Sequence, residues 1–302
     1  MRRNAEIPLV AFIVSGNKKE IKLALPKGRI YDKVVKLLKN AGFTISGNGR
    51  SYRPKINDNN IKIKILKARN IPRLVELGSQ DIAFTGNDWV VEQSADVQEL
   101  IDLKFDPVKI VAAIPKKYSF DELKKKKKVV VASEYENLTK KFLEKNGFDY
   151  VYLRTFGATE VFPPDDADMI VDNTSTGTTL KQNGLEIVDT LLESSTRMIA
   201  NKQAMQDEWK RKKIDCIVML LKSVLEGKKR VYLEMNVSED NLNDLVKILP
   251  CMKSPTISKL YGADGFAVKV AVEKNKVAEL IPILKEKGAT DILEFKLSKV
   301  VV

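Results

Sequence analysis

The chain has 302 residues, 44% hydrophobic and 30% charged, enough for two or three globular domains. Its formal net charge is +12 and it contains no histidine, which removes His-based acid–base chemistry, Ser-His-Asp triads and most zinc catalysis. Cys216 and Cys251, the two cysteines, lie far apart in sequence; they exclude a disulfide framework or a cysteine zinc site and fit a reducing cytoplasm.

Residues 8–14 are apolar and follow Arg2 and Arg3, but the run is short, contains Pro8 and lacks a small-x-small cleavage pattern. Residues 1–20 therefore read as a poorly ordered extension, or an artefact of the chosen start. No apolar run reaches the length of a membrane span. Residues 21–25 alternate as a first strand. Pro26-Lys27-Gly28-Arg29 turns into a helix over residues 30–40, with Val34, Leu37, Leu38 and Ala41 on one face. A turn of this kind at a strand's carboxyl end is where α/β proteins place ligand contacts, although two solvated cations on a surface turn would look the same.

Residues 61–66 alternate again as a half-exposed strand. In Arg69-Asn70-Ile71-Pro72, Asn70 reads as the cap and Pro72 as the first turn of a helix reaching Gly78. Residues 81–84 form a short strand, and Thr85, Gly86 and Asp88 open a second helix N-terminus, suited either to an anion or to ordinary capping. Strands follow at 109–114 and 129–132, then helix 139–146, strand 150–154 and the turn Phe156-Gly157-Ala158-Thr159-Glu160. The lysines at 124–128 end an amphipathic segment and read as a solvated helix end rather than a nucleic-acid face. This alternation predicts parallel sheets with helices on both faces.

Met169-Ile170-Val171 is apolar and strand-like, and Asp172-Asn173-Thr174-Ser175-Thr176-Gly177-Thr178-Thr179 follows it into a short helical segment that stops at Gly184. Unpaired helix amides, a glycine that lets the backbone come close and a cluster of hydroxyls suit a phosphate monoester. Asp172 stands where a carboxylate can accept hydrogen bonds from sugar hydroxyls. A capped loop with threonines clustered by chance gives the same local pattern. Residues 187–192 form a further strand, and 194–200 return the chain to its first lobe. Residues 203–226 have helical periodicity and end at Gly227, read as the residue just past the helix. The remainder is ordered βαββαβ: strand 229–236, helix 239–249, strands 256–261 and 265–272, helix 277–287 and strand 291–297, a ferredoxin-like pattern.

The acidic residue, Thr/Ser and Thr-Gly-Thr string of the 172–179 loop resembles the ribose-5-phosphate loop of phosphoribosyltransferases. With Gly157 and Glu160 upstream, it resembles more closely the ATP phosphoribosyltransferase family, which opens histidine biosynthesis. The connection Pro163-Pro164-Asp165-Asp166 is one residue shorter than in many bacterial members. Met252-Lys253-Ser254-Pro255-Thr256 and Gly288-Ala289-Thr290-Asp291 resemble the regulatory domain of the family's long form.

The resemblance implies an α/β fold: a two-lobed core like that of periplasmic binding proteins plus an ACT-like ferredoxin domain. Lobe I would hold 21–107 and about 193–212, lobe II 108–192, a linking helix 213–227 and the regulatory domain 228–302. It implies phosphoribosyl pyrophosphate on Asp172, Thr174, Ser175, Thr176, Gly177, Thr178 and Thr179. It implies ATP phosphates near Lys27, Gly28, Arg29, Arg69, Thr85, Gly86 and Asp88, with Glu160 and Asp168 as ribose or metal-water contacts. It further implies Mg²⁺ carried by the substrates, and a cytoplasmic homo-oligomer, dimer or hexamer, without nucleic acid or membrane. Inhibitory L-histidine would lie near Asn236, Met252, Thr256 and Asp291. Rival readings are a phosphoribosyltransferase for a free base, without the C-terminal fold; a non-catalytic binding protein, which should carry an export signal; and a nucleic-acid binder, which would need a concentrated basic, aromatic face.

Overall fold

The structure, a computed structural model, describes residues 19–47 and 51–301, so the predicted extension lies outside the described residues except for Lys19 and Glu20. In chain order the elements are β1 (Ile21–Pro26), α1 (Arg29–Ala41), β2 (Ile45–Ser46), β3 (Lys55–Ile56), β4 (Ile61–Leu66), α2 (Ile71–Glu76), β5 (Ile82–Gly86), α3 (Asn87–Glu92) and β6 (Gln98–Asp102). Then come β7 (Val108–Pro115), α4 (Phe120–Lys125), β8 (Val129–Ser133), α5 (Glu136–Lys145), β9 (Tyr150–Arg154), β10 (Met169–Thr174), α6 (Thr178–Gln182), β11 (Leu185–Ser194), β12 (Thr196–Ala200) and α7 (Glu208–Lys229). The chain closes with β13 (Arg230–Val237), α8 (Glu239–Ile248), β14 (Thr256–Lys259), β15 (Phe266–Glu273), α9 (Val277–Glu286) and β16 (Thr290–Lys296).

Three main sheets organise these elements, in the orders β4-β1-β5-β12-β6, β11-β7-β10-β8-β9 and β14-β15-β13-β16. The first two are the sheets of two lobes, as expected, but both are mixed rather than parallel. β12 runs against β5 and β6, and β7 runs against β10 and β11. The cause is the double crossing. The chain leaves lobe I after β6 and re-enters it at β12 from the cleft edge, so the returning strand opposes β5. Ser194 pairs with Val108 and Arg197 with Asp102, so the outgoing and returning segments run side by side.

Each lobe has its own core. Leu23, Leu25, Leu37 and Phe84 pack with Ile214, Ile217 and Leu221 of α7 in lobe I, while Ile110, Val131, Phe142 and Met169 pack in lobe II. The third sheet is the expected ferredoxin-like domain. Val231, Leu233, Met235 and Val237 face α8 and α9, and Tyr232, Glu234 and Asn236 lie on the face without helices.

Three helix ends differ from expectation: α7 starts at Glu208, capped by Asp207, rather than at 203. Asn70 is already helical and makes no side-chain cap, because Ala68–Asn70 forms a 3-10 turn running into α2. Gly227 is buried inside α7, which continues to Lys229 and passes directly into β13. A Cβ at Gly227 would sit 3.0 Å from the backbone of Ser298 and Lys299. The C-terminal segment is thus laid across α7, and the amide of Val300 donates to Ser223 O at 2.9 Å. Close approach of two backbones, rather than helix termination, is what Gly227 permits. Gly227→Val is expected to cost about 1–3 kcal/mol by overpacking, read as a lower urea midpoint; an unchanged midpoint would mean that the terminal segment moves away at no cost.

Candidate active site

The parallel strands β1, β4, β5, β8, β9 and β10 direct their carboxyl ends into the space between the lobes, the usual position of a ligand in α/β sheets. The Asp172–Thr179 segment stands at the end of β10. The strand extends three residues further than the sequence indicates, through Thr174, because Asp172, Asn173 and Thr174 continue the ladder with β7. The chain then turns at Gly177, in the left-handed region at φ 76°. The Gly177 amide donates to Thr174 Oγ1 at 2.9 Å, and the Thr176 and Thr178 hydroxyls pair at 2.9 Å. Ser175, Thr176, Thr178 and Thr179 are exposed. α6 has only five residues, so its first-turn amides and these hydroxyls, not a long helix dipole, would hold a phosphate.

Asp172 is half-buried at the foot of this loop. Burial first, then the charges of Glu160 and Glu134, push its carboxyl from an ordinary 3.8 up to about 6, against hydrogen bonds that favour the anion. A carboxylate in negative surroundings is a good acceptor for sugar hydroxyls or for the waters of a cation. Glu160 follows Ala158, which adopts φ 51°, an unusual conformation for a non-glycine residue and one of the strained positions typical of functional turns.

Across the gap, Arg69 lies 3.6 Å from Glu134 of lobe II, with its guanidinium 5.7 Å from the Phe156 ring. The Arg154 guanidinium lies 5.6 Å from the same ring, and Phe156 itself is 72% exposed. These residues border an open cleft of about 630 Å³ that also reaches Trp89, Glu92 and Asn137. Lys27 donates to the Tyr52 hydroxyl at 3.2 Å, Gly28 caps α1, and Arg29 meets Asp106 of the crossing segment at 3.3 Å. With Tyr31 and Ile65 they line a second cavity of about 720 Å³ on the same edge of lobe I.

Four of the expected contacts are engaged elsewhere. Thr85 is fully buried and donates to Ala68 O at 3.0 Å. Asp88 is buried and accepts from Ser194 Oγ at 2.7 Å and from the Tyr135 hydroxyl at 2.9 Å. The amides of Asn87 and Asp88, which would have held an anion, donate to Ser195 O and Ser194 Oγ of the crossing segment. Gly86 makes room for this arrangement, since a Cβ there would lie 2.2 Å from Asp88 Oδ1. Asp168 is at the opposite end of β10 from the loop, paired with Lys126 at 2.7 Å and accepting from the Val130 amide.

α3 is instead a strut between the lobes. Trp89 stacks on Tyr135 at 4.6 Å, and the Glu92 carboxylate accepts from the amides of Asn137 and Leu138 at 2.9 and 3.0 Å. A lobe I side chain thereby caps the first turn of a lobe II helix. Desolvation nevertheless outweighs these bonds and pushes the Glu92 carboxyl up. Glu134, Arg154 and Phe156 sit at carboxyl ends of strands, a position that could have marked them in the sequence. Trp89, Glu92 and Tyr135 carry no local signal, because their partners lie on the other lobe.

In the C-terminal domain Asn236 Nδ2 donates to Asp291 Oδ2 at 2.9 Å. The side chain of Thr256 lies on the same open face, since it pairs with Lys269, which meets Glu234. Met252 lies beside Ala271, about 13 Å along β15 from the strand position opposite Asn236, so the structure does not bring it to that pair.

The profile of the ATP phosphoribosyltransferase family matches residues 67–223, and that of its C-terminal domain matches residues 227–299. An ATP phosphoribosyltransferase from Chlorobium chlorochromatii is 41% identical over 293 residues, covering 95% of this chain and 100% of the relative. One from Thermodesulfovibrio yellowstonii is 42% identical over 94% of this chain and 99% of its own. A chain of the ATP phosphoribosyl transferase (HisG:HisZ) complex from Thermotoga maritima superposes with a TM-score of 0.62 at 28% identity, over 68% of this chain and 98% of that one.

The raised pKa of Asp172 has a direct consequence. The folded protein binds this proton more tightly than the unfolded chain, so the group's stabilising contribution is complete below pH 3.8 and is lost as pH rises through about 6. Asp172→Asn is expected to flatten that part of the ligand-free stability profile and to raise stability at pH 7 by about 1–2 kcal/mol. Denaturant titrations at pH 4 and pH 7 check this; parallel shifts at both would refute the assignment.

Proposed function

The chain belongs to the ATP phosphoribosyltransferase family, whose reaction is the first step of histidine biosynthesis, and from that premise we propose how its cleft performs the transfer. N1 of adenine in ATP attacks the anomeric carbon of phosphoribosyl pyrophosphate. The N1–C1′ bond forms, the bond from C1′ to the pyrophosphate oxygen breaks, and pyrophosphate leaves. Positive charge develops on the ribose ring and negative charge on the leaving group, so orientation and electrostatics can supply the catalysis without a protein nucleophile.

The loop Asp172–Thr179 holds the 5-phosphate through its hydroxyls and first-turn amides. Asp172 and Glu160 receive ribose hydroxyls, and their negative field favours the ring charge of the transition state. Arg69 meets the pyrophosphate, with Lys27 and Arg29 supplying further positive charge from the neighbouring turn. A Mg²⁺ ion carried on the substrate phosphates would supply charge neutralisation there. Among the described residues no cluster of three or more acidic or cysteine ligands could hold a metal unaided, whereas Asp172 and Glu160 suit the waters of a phosphate-bound ion. When bound, that ion offsets charge on the leaving group. The observation that carries this reading is the hydroxyl-rich turn at the end of β10, with its exposed Ser175, Thr176, Thr178 and Thr179 above the half-buried Asp172.

We extend the proposal to regulation and assembly. The Asn236–Asp291 pair and Thr256 form the polar part of the open sheet face and would contact L-histidine. Leu293 and Phe295, 51% and 47% exposed on that face beside Tyr232, favour packing against a second copy. Free Cys216 and Cys251 fit the cytoplasm, and no described helix is long and apolar enough to cross a membrane.

Phosphoribosyl-ATP formation followed with ATP, phosphoribosyl pyrophosphate and Mg²⁺ tests the assignment. Arg69→Ala is expected to lower kcat/KM by roughly 10–100-fold, the worth of a charge-assisted hydrogen bond. The Thr176→Ala, Thr178→Ala pair should raise the KM for phosphoribosyl pyrophosphate about tenfold while sparing that for ATP. L-Histidine should inhibit the native chain, and Asp291→Ala should relieve it. Variants that behave as the native chain would remove these roles.

A further inference from the structure

The ribose-phosphate loop and the lobe I strut are joined by a continuous line of hydrogen bonds. Asp172 Oδ1 accepts from the Asn173 amide at 2.7 Å and from Asn173 Nδ2 at 3.2 Å. Asn173 Nδ2 also donates to the Tyr135 hydroxyl at 3.3 Å, and that hydroxyl donates to Asp88 Oδ2 at 2.9 Å. Asp88 Oδ1 then accepts from Ser194 Oγ at 2.7 Å, on the segment where the chain returns to lobe I. Tyr135 is 1% exposed, and its ring is fixed by the stack on Trp89. Its hydroxyl therefore has one available rotor position that donates to Asp88 and leaves a lone pair for Asn173. Asn173 is exposed and otherwise unconstrained at the strand end, so its side-chain direction is set by these two neighbours.

We propose that Tyr135 is a positioning residue for the transfer: taking its reference from Asp88 and Trp89 of lobe I, it holds Asn173 and through it the carboxylate of Asp172, so that filling the ribose-phosphate loop and docking the lobes are coupled. The inference rests on the reading of 172–179 as the ribose-phosphate loop. Tyr135 touches neither substrate in this arrangement. Asn173 holds Asp172 by Oδ1 and leaves Oδ2 for a ribose hydroxyl, so a carboxylate that turns toward the ribose turns Asn173 with it and alters the acceptor side of the Tyr135 hydroxyl. Hydrogen bonds in such a chain polarise one another, so the change reaches Asp88 and the strut.

The test uses the full chain carrying Trp209→Phe, which leaves Trp89 as the single tryptophan of the two in the sequence. Phosphoribosyl pyrophosphate with Mg²⁺, without ATP, is titrated while Trp89 emission is recorded. A saturable change is expected, and Asn173→Ala and Tyr135→Phe should each abolish most of it. Both should raise the KM for phosphoribosyl pyrophosphate about fivefold, the worth of one hydrogen bond, with the KM for ATP within about twofold. The double variant should be no worse than either single one, because both cut the same line.

Asn173→Ala changes an exposed side chain and keeps the test decisive if Tyr135→Phe does not fold. A native emission response and native KM in Asn173→Ala would overturn the proposal, as would additive effects in the double variant. The loop reading fails separately, and visibly, if Thr176→Ala with Thr178→Ala leaves the affinity for phosphoribosyl pyrophosphate unchanged.

Discussion

The packing of α3 against lobe II is the constraint on which the rest of the active site depends. Two lobes joined only by two adjacent crossings would rotate freely about them, since such hinges absorb large changes in backbone angle. Here Trp89 stacks on Tyr135 and Glu92 closes the amide end of α5. An aromatic pair contributes about 0.5–1.5 kcal/mol beyond its buried area, and a capping carboxylate about 1 kcal/mol. The sum is large enough to favour one docking geometry and small enough for bound substrates to adjust it. Arg69 and Glu134 meet across the cleft only because this strut sets the distance between their backbones.

That arrangement also explains how the chain manages without histidine. The transfer needs no proton relay through a group titrating near neutrality, only charges held in fixed places. In the proposed transfer, Asp172, Glu134 and Glu160 would build negative potential on the ribose side, while Arg69, Arg154 and Lys27 would supply positive charge around it. The raised pKa of Asp172 follows from its burial and from the nearby charges of Glu160 and Glu134. Synthesis of the chain also draws none of the end product of the pathway it opens.

Much of this was legible in the sequence because it is local. The hydroxyl loop, the Lys27-Gly28-Arg29 turn and the βαββαβ order depend on residues close in the chain, and each stands where its pattern put it. Apart from Asn70, where a local 3-10 turn replaces the cap, and the start of α7, capped by Asp207, the misread positions have distant partners. Thr85, Gly86 and Asp88 look like an anion site until Ser194 and Ser195, more than a hundred residues later, take up the amides. Gly227 looks like a helix end until the terminal segment 298–300 is laid upon it. The mixed direction of the sheets follows from the double crossing, which no local periodicity encodes.

The interleaved course of lobe I sets an order for building the molecule. β12 lies between β5 and β6 and is the partner of both, so the sheet of lobe I stays open until residues 196–200 exist. Lobe II is continuous from β7 to β11 and can close first. On a ribosome, the earlier half of the chain must therefore wait, with the buried edges of β5 and β6 uncovered, while the later lobe folds. The segment 298–300 that lies across α7 follows both lobes in the chain, so its contact with the Ser223 turn of that helix is made after the lobes have their strands.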